Sequence, residues 1–433
     1  MSDSKPTSNT SAPHEDAKTQ TTCGGCELLC EDLPVRSIKS GTGCTAADKW
    51  FGHGDPLPQT TIDGKEVFLN DAIHEAAARL LSAQRPLLTG LASTTLDAIQ
   101  IACRIADCID ASVDANDYEN LILTAPTAIR VGRVSADLEE LRDRADLVIF
   151  WGVDPSMKST RFIERFIKPE PHNGNRHTIS VGMTPAVTPS SYNLHFPVPE
   201  EQHVSLARLV NAHLAQKEAS VSSPDGLDDI AHQLHQFIDA ARCVGFVSTQ
   251  PAETTGLVKW SLSKLIQSLA HQKPCFEIPL NQRASSEGGN LAGAGAVCTW
   301  HFGSSGAIPR ASSSGSMFLP AEADAQHLIK RDEVDCIFIV GRIPLQIKGF
   351  LAEDSGSKTV IHITDESNDT SFKNSIRLAC ASLSASTKGS MLRSDGRLIT
   401  LRPFETACLP SMQNILDKLL DRLAVHTRNE GST

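Results

Sequence analysis

The chain has 433 residues, a hydrophobic fraction of 40% and a formal net charge of −11. This length suggests two or three domains, or one large composite α/β body, with enough apolar side chains for a sizeable core. The acidic charge argues against bulk binding to nucleic acid or to an anionic membrane surface. No apolar run approaches the roughly 20 residues that cross a bilayer. No apolar signal region begins the sequence, so we expect a cytoplasmic protein.

The N-terminal region combines a polar tail with a cysteine cluster. Residues 1–21 lack hydrophobic periodicity, and we predict a disordered tail there. The segment 22–65 opens with TCGGCELLCEDLPVRSIKSGTGC, which holds four of the twelve cysteines at the spacing C-x2-C-x3-C-x13-C. In a large chain without an export signal, such a cluster indicates a metal site rather than disulfides. The candidate ligands are Cys23, Cys26, Cys30 and Cys44.

Four thiolates can hold a tetrahedral zinc ion or a [4Fe–4S] cluster. Zinc ribbons usually pair two short CxxC knuckles, whereas here three cysteines fall within eight residues and the fourth follows a loop. One tight loop can reach three corners of a cubane, so the spacing favours an iron–sulfur cluster over zinc. A third interpretation, four cysteines with no shared metal, stays open. The other eight cysteines lie mostly in apolar runs and are interpreted as buried core residues.

Helices and strands alternate along most of the remaining chain. Asp63 and Gly64 predict a tight hairpin turn. NDAIHEAAARLLSAQ and STTLDAIQIACRIADCIDA then predict helices, the second with Ser93 or Thr94 as its N-cap. Short apolar runs such as PLLTG, ASVDA, DLVIFWGVDP and HTISVG predict strands, and the charged stretch 161–177 predicts a solvated helix end. Continuous apolar strands between helices indicate parallel sheets that are covered on both faces.

The expected fold class is therefore α/β, with two doubly wound parallel-sheet lobes and a small N-terminal cysteine-cluster segment. The first lobe is predicted over 66–200. The second begins over 201–280 and is completed over 316–433, where a hairpin and a helix end the chain. Residues 281–315 are rich in glycine and serine, and so long a stretch without regular structure is normally functional or disordered.

Two predicted strands end in glycine-containing loops, FWGVDP and FIVGRIP. In doubly wound sheets, ligands lie beyond the carboxyl ends of the strands, where Gly152 and Gly341 would let the backbone approach a ligand closely. Taken alone, this pattern favours ordinary strand-to-loop turns over a binding site.

Several segments taken together resemble the B subunit of formylmethanofuran dehydrogenases, which belongs to the molybdopterin oxidoreductase superfamily. These segments are CGGCELLCEDL, LEELRDRADLVIFWGVDP, HTISVGMTPAVTPSSYNLHFPV, GGNLAGAGAVCTWHFG and MLRSDGRLITLRPF. The resemblance implies two lobes of molybdopterin-oxidoreductase type, a [4Fe–4S] cluster, and a molybdenum or tungsten bis-pterin guanine dinucleotide that interconverts carbon dioxide and formate. It also implies that Gly152, Asp154, Gly341 and Arg342 would line the pterin dinucleotide if one is bound.

The chain departs from that family at the heavy-metal ligand. There, a cysteine or selenocysteine on the loop after the second strand of the first lobe binds the metal. The matching window, NDYENLILTAPTAIR, has no cysteine, and none occurs between Cys108 and Cys243. Because a thiolate donates electron density to the metal, its absence predicts loss of redox chemistry and of the molybdopterin or tungstopterin. In the alternative, an active enzyme, Asp114 or Asp117 supplies an oxygen ligand.

The resemblance is closest to the B subunit of the formyltransferase/hydrolase complex of methylotrophic bacteria. It implies a non-redox structural role in tetrahydromethanopterin-linked one-carbon metabolism, with the other chains of that complex as partners. Whether the chain is itself an enzyme stays open. It has no G-x-S-x-G or H-E-x-x-H motif, which weighs against a hydrolase role for this chain. A metal-bearing binding protein outside one-carbon metabolism is the third hypothesis.

Overall fold

The structure is a computed structural model in which helices alternate with short strands. It describes residues 20–52, 56–115, 127–157, 159–172, 174–182, 192–216, 226–249, 256–280, 288–310, 318–353, 356–367 and 372–430. Most of the predicted disordered tail lies outside these ranges. Its last two residues, Gln20–Thr21, pair antiparallel with Leu33–Pro34 and so belong to the folded cysteine segment.

The strands of the described chain are β1 (Gln20–Thr21), β2 (Leu33–Pro34), β3 (Thr61–Ile62), β4 (Lys65–Glu66), β5 (Pro86–Thr89), β6 (Ser112–Asp114), β7 (Leu147–Trp151), β8 (His177–Val181), β9 (Leu194–Phe196), β10 (Val244–Thr249), β11 (Cys275–Leu280), β12 (Cys336–Val340), β13 (Thr359–Thr364), β14 (Ser375–Ala379), β15 (Gly389–Leu392) and β16 (Leu398–Leu401). The α-helices are α1 (Val35–Ser40), α2 (Thr45–Phe51), α3 (Leu69–Ser82), α4 (Leu96–Cys108), α5 (Leu138–Arg144), α6 (His203–Leu214), α7 (Leu227–Ala240), α8 (Leu257–Ala270), α9 (Leu291–Phe302), α10 (Ala325–Lys330), α11 (Leu345–Glu353) and α12 (Met412–Glu430).

Two large sheets organise these elements. In the described residues, one sheet has seven strands in the order β4-β3-β14-β13-β12-β5-β6, and the other has five in the order β11-β10-β7-β8-β9. The five-stranded sheet is parallel throughout, and the larger one is parallel except at the β3 and β4 edge. Every residue of β7 and β12 is buried, as expected for strands covered on both faces. The predicted α/β class is confirmed.

Strand pairing divides the chain differently from the predicted lobes, which were 66–200 for the first and 201–280 with 316–433 for the second. β5 and β6 pair within one sheet with β12, β13 and β14, whereas β7, β8 and β9 pair with β10 and β11. Each sheet therefore draws on both halves of the sequence. The local pattern shows that a strand is parallel and flanked by helices, but it carries no information on which distant strand lies beside it.

Several local predictions can be compared directly with the structure. The hairpin turn is confirmed, since β3 and β4 pair around Asp63 and Gly64, which have φ angles of 49° and 77°. The predicted N-cap of α4 is wrong: Thr95 is the cap, and its side chain accepts the Ala98 N–H. Ser93 instead ends a short 3-10 turn that precedes the helix.

The glycine- and serine-rich stretch contains α9, so the prediction that it lacks regular structure is wrong there. Alanine is the best helix former and supports this helix despite its glycines. The small side chains also let α9 pack against α4: a Cβ on Gly293 would lie 2.7 Å from Leu96 Cδ2.

The eight cysteines outside the cluster are mostly core residues, as predicted. Six of them are buried, whereas Cys108 and Cys408 are exposed. Cys108 is the last residue of α4, where the helix leaves the core. In the part of the chain that the structure describes, no helix combines the length and hydropathy needed to cross a bilayer.

Candidate functional site

The four candidate cysteine ligands are buried, each with 6% or less of its surface exposed. The turn between β1 and β2 brings the first and third together, because the Cys23 N–H donates to the Cys30 carbonyl at 2.8 Å. Cys44 lies at the N-cap of α2, which returns the chain to the same region. All four side chains belong to the large core cluster of buried residues.

Burial and neighbouring groups shift the pKa values of three of these thiols. Burial raises the pKa of Cys23 and Cys26, and the nearby thiols raise it further. Burial also raises the pKa of Cys30, where the guanidinium groups of Arg165 and Arg161 oppose the shift. Such thiols are protonated and unreactive until a metal or another cation compensates the charge of the thiolate.

Four buried thiols match the donor set of a [4Fe–4S] cluster, which takes one thiolate on each iron atom, and also that of a zinc ion. Among the described residues, no three His, Cys, Asp or Glu side chains converge closely enough to hold one metal ion. The Gly25 N–H already donates to Cys23 Sγ at 3.3 Å, a backbone contact that also stabilises a thiolate.

The loop after β7 holds two of the residues predicted to line a pterin. Gly152 has a φ angle of 65°, and a Cβ placed on it would lie 3.2 Å from the buried His203 ring. The Asp154 carboxylate accepts hydrogen bonds from the N–H and hydroxyl of Ser156, at 2.9 and 2.6 Å. These contacts hold the loop within the chain itself.

The loop after β12 holds the other two. The Arg342 N–H donates to Ser93 Oγ at 2.7 Å, and a Cβ on Gly341 would collide with that same oxygen. The Arg342 guanidinium forms an ion pair with Glu366 at 3.1 Å and lies over the Trp50 ring at 5.3 Å. Because Trp50 packs on Gly24 and Gly25, Arg342 lies close to the turn that carries Cys23 and Cys26.

Two arginines that follow β7 in the chain contact the cysteine segment, and the sequence did not reveal this contact. Arg161 donates to both carboxylate oxygens of Asp32 at 2.9 Å, and Arg165 pairs with the same carboxylate at 3.3 Å. The prediction of a solvated helix end over 161–177 is wrong for both arginines, whose side chains are only 14% and 15% exposed. The four-residue spacing of the two arginines was the only feature of the local sequence that could have indicated a shared partner.

The oxygen-ligand alternative can be examined at one of its two positions. Asp114 is 1% exposed, and its carboxylate oxygens accept the N–H groups of Ala325 at 2.8 Å and Ala307 at 3.4 Å. These contacts argue against Asp114 as a metal ligand, so a pterin-held metal is not supported at this position. Asp117 lies outside the described residues.

His362 supports the loop after β12, and its burial should make the stability of the protein depend on pH. Its Nε2–H donates to the Gly341 carbonyl at 2.7 Å, and burial lowers its pKa from 6.5 to about 4. Between these two pH values the unfolded chain binds a proton that the native chain does not. Stability should therefore fall by up to about 3 kcal/mol as the pH drops from 6.5 to 4. Denaturation with urea across this range measures the slope.

In His362→Gln the amide can keep the hydrogen bond to Gly341 but does not titrate, so the slope should be smaller. His271→Gln, at an exposed position, serves as the matched control and should retain the full slope. Equal slopes in the two variants would contradict the assignment of this pH effect to His362.

Comparison with known proteins gives two kinds of match, one in sequence and one in fold. No family model matches the chain. The B subunit of the tungsten-containing formylmethanofuran dehydrogenase 2 is 27% identical over 161 residues, both in Methanocaldococcus jannaschii and in Methanococcus maripaludis. Each match covers 33% of this chain and only 36% of the relative.

The second match is a solved structure. It is one chain in the X-ray crystal structure of the formyltransferase/hydrolase complex from Methylorubrum extorquens with methylofuran. The TM-score is 0.68 at 18% sequence identity, and the match covers 86% of this chain and all of the other. At this identity the likeness shows a shared fold. The predicted resemblance is confirmed: over part of its length the chain is similar to the formylmethanofuran dehydrogenase B subunit, and it shares the fold of one chain of the formyltransferase/hydrolase complex.

Proposed function

We propose that the chain is the B-like subunit of a formyltransferase/hydrolase complex and that its role there is structural rather than redox. The observation that carries this proposal is the absence of a thiol beyond β6, in the window where the family binds its heavy metal. The engaged carboxylate of Asp114 adds support, because the nearest oxygen donor already accepts backbone N–H groups.

The partners in this proposal are the other subunits of such a complex. Two similarities support it: the partial sequence match to a B subunit, and the fold match to a chain of the Methylorubrum complex. We also propose a cytoplasmic location. All twelve cysteines are free, which suits a reducing compartment.

Within this role, we propose that Cys23, Cys26, Cys30 and Cys44 hold a [4Fe–4S] cluster that stabilises the N-terminal segment. Metal binding of this kind contributes folding free energy. Electron transfer would need a second redox centre, and the sequence offers no convincing ligand for one.

Purification from the source organism under anaerobic conditions tests the proposal. A tagged chain is expected to co-purify with formyltransferase and hydrolase subunits at a fixed ratio, without stoichiometric molybdenum or tungsten and without viologen-linked formate oxidation. Mass spectrometry of the co-purifying chains and elemental analysis are the measurements. Stoichiometric tungsten or molybdenum would favour the alternative of an active dehydrogenase. A chain that purifies alone would favour a metal-bearing protein outside one-carbon metabolism.

A further inference from the structure

Two hydrogen-bond donors near the four cysteines are buried and have no partner among the described residues. They are Trp50 Nε1 and Arg165 Nη1. Buried N–H groups are nearly always paired, since an unpaired one loses its hydration without compensation. Two such donors next to four buried thiols therefore suggest that their acceptor belongs to a group bound at this site.

Trp50 lies against the backbone that links the first two cysteines. A Cβ on Gly24 would fall 2.6 Å from Trp50 Cζ2 and 3.0 Å from Cε2, the ring atom bonded to Nε1. Gly24 directly follows Cys23, and Gly25 directly precedes Cys26. The far side of the indole is covered by Arg342. The indole N–H is thus held next to the turn that carries Cys23 and Cys26.

Arg165 lies in the π-helical turn Ile163–Ile167. Its Nε pairs with Asp32 at 3.3 Å, and its guanidinium lies over the Phe166 ring at 4.9 Å. These contacts leave Nη1 without an acceptor among the residues that the structure describes. Asp32 is two residues after Cys30, so this ion pair places the guanidinium near the cysteine segment.

We propose that Trp50 Nε1 and Arg165 Nη1 donate hydrogen bonds to sulfur atoms of a [4Fe–4S] cluster bound by the four cysteines. This inference rests on the cluster proposed above and deepens it by assigning the donors that surround the cluster. Sulfides and thiolates accept hydrogen bonds, and such bonds stabilise the more negative, reduced state and so raise the reduction potential. Trp50 and Arg165 are positioning residues, which tune the cluster without ligating it.

The test uses the full-length chain after anaerobic reconstitution with iron and sulfide. Iron and sulfide per chain are measured first, followed by the midpoint potential from a dithionite titration monitored by electron paramagnetic resonance. Trp50→Phe and Arg165→Met should each lower the reduced-to-oxidised ratio at a fixed potential about tenfold, which is a shift of about 59 mV for one electron. Arg165→Lys keeps the charge and should show a smaller shift.

Trp151→Phe is the matched control. Trp151 Nε1 is also buried without a partner among the described residues, but this side chain lies on β7 and packs on the His203 ring at 5.8 Å. Its replacement should leave the midpoint potential unchanged.

Midpoint potentials in Trp50→Phe and Arg165→Met that equal the wild-type value would overturn the inference while leaving the cluster in place. Should Trp50→Phe not fold, the two Arg165 variants decide the outcome. A wild-type chain that binds no iron would overturn both this inference and the cluster proposal. Neither result would decide the assignment to a formyltransferase/hydrolase complex, which the co-purification experiment tests separately.

Discussion

Arg393→Met is expected to destabilise the protein by about 3–5 kcal/mol, which is the usual cost of removing one partner of a buried ion pair. Arg393 and Asp395 are each 1% exposed, and Arg393 Nε donates to both Asp395 oxygens at 2.9 Å. Its Nη1 donates to Glu139 Oε1 at 2.9 Å. Removal of the guanidinium would leave one fully buried and one partly buried carboxylate without their main cationic partner.

The same network joins distant parts of the chain. Arg393 follows β15, whereas Glu139 lies in the first turn of α5, and the Leu138 N–H donates to Asp395 at 2.8 Å. Burial favours the protonated form of Glu139, but hydrogen bonds and charge from Arg393 outweigh it and lower the pKa from 4.5 to about 2. The stabilisation from Glu139 is therefore complete above pH 4.5 and is lost as the pH falls through about 2.

The matched control for this variant is Arg402→Met. Arg402 is 44% exposed and pairs with Glu31 at 3.5 Å, so its loss should cost no more than about 1 kcal/mol. Urea denaturation of both variants at pH 7 provides the comparison. Similar unfolding midpoints in the two variants would show that the buried network contributes no more than a surface pair.

Gly289→Ala should displace the cysteine segment and reduce the iron that the chain retains. The Gly289 N–H donates to the Gly24 carbonyl at 2.8 Å. An added Cβ would collide with the Cys26 carbonyl oxygen and lie 2.6 Å from Leu29 Cδ2. Because the obstructing oxygen belongs to the backbone, relief requires movement of Cys26. Overpacking of this kind typically costs roughly 1–3 kcal/mol, and here the strain falls on a proposed cluster ligand.

Gly349→Ala is the control for this substitution. Gly349 lies within α11 with no atom near the added Cβ, so alanine should be neutral or stabilise the helix by up to about 1 kcal/mol. Thermal unfolding and iron per chain after reconstitution measure the two effects. Normal iron content in Gly289→Ala would show that the segment tolerates the displacement.

Short-range patterns in the sequence were enough to predict the α/β class, the parallel character of the buried strands, the hairpin at Asp63 and Gly64, and the cysteine cluster. These features depend on hydrophobic periodicity, on turn residues with positive φ angles, and on ligand spacing within about two dozen residues. The resemblance to a B subunit could also be recognised from the sequence, because it depends on several motifs that follow one another along the chain and not on contacts between distant residues.

Only the tertiary structure shows which strands share a sheet and which residues surround the thiols. β5 lies beside β12 although some 250 residues separate them, and no local pattern records that choice. The same holds for Arg161, whose sequence neighbourhood is typical of a solvated helix but whose side chain is mostly covered and paired with Asp32. Burial and partner choice are properties of the assembled core, since they arise from residues that meet only after folding.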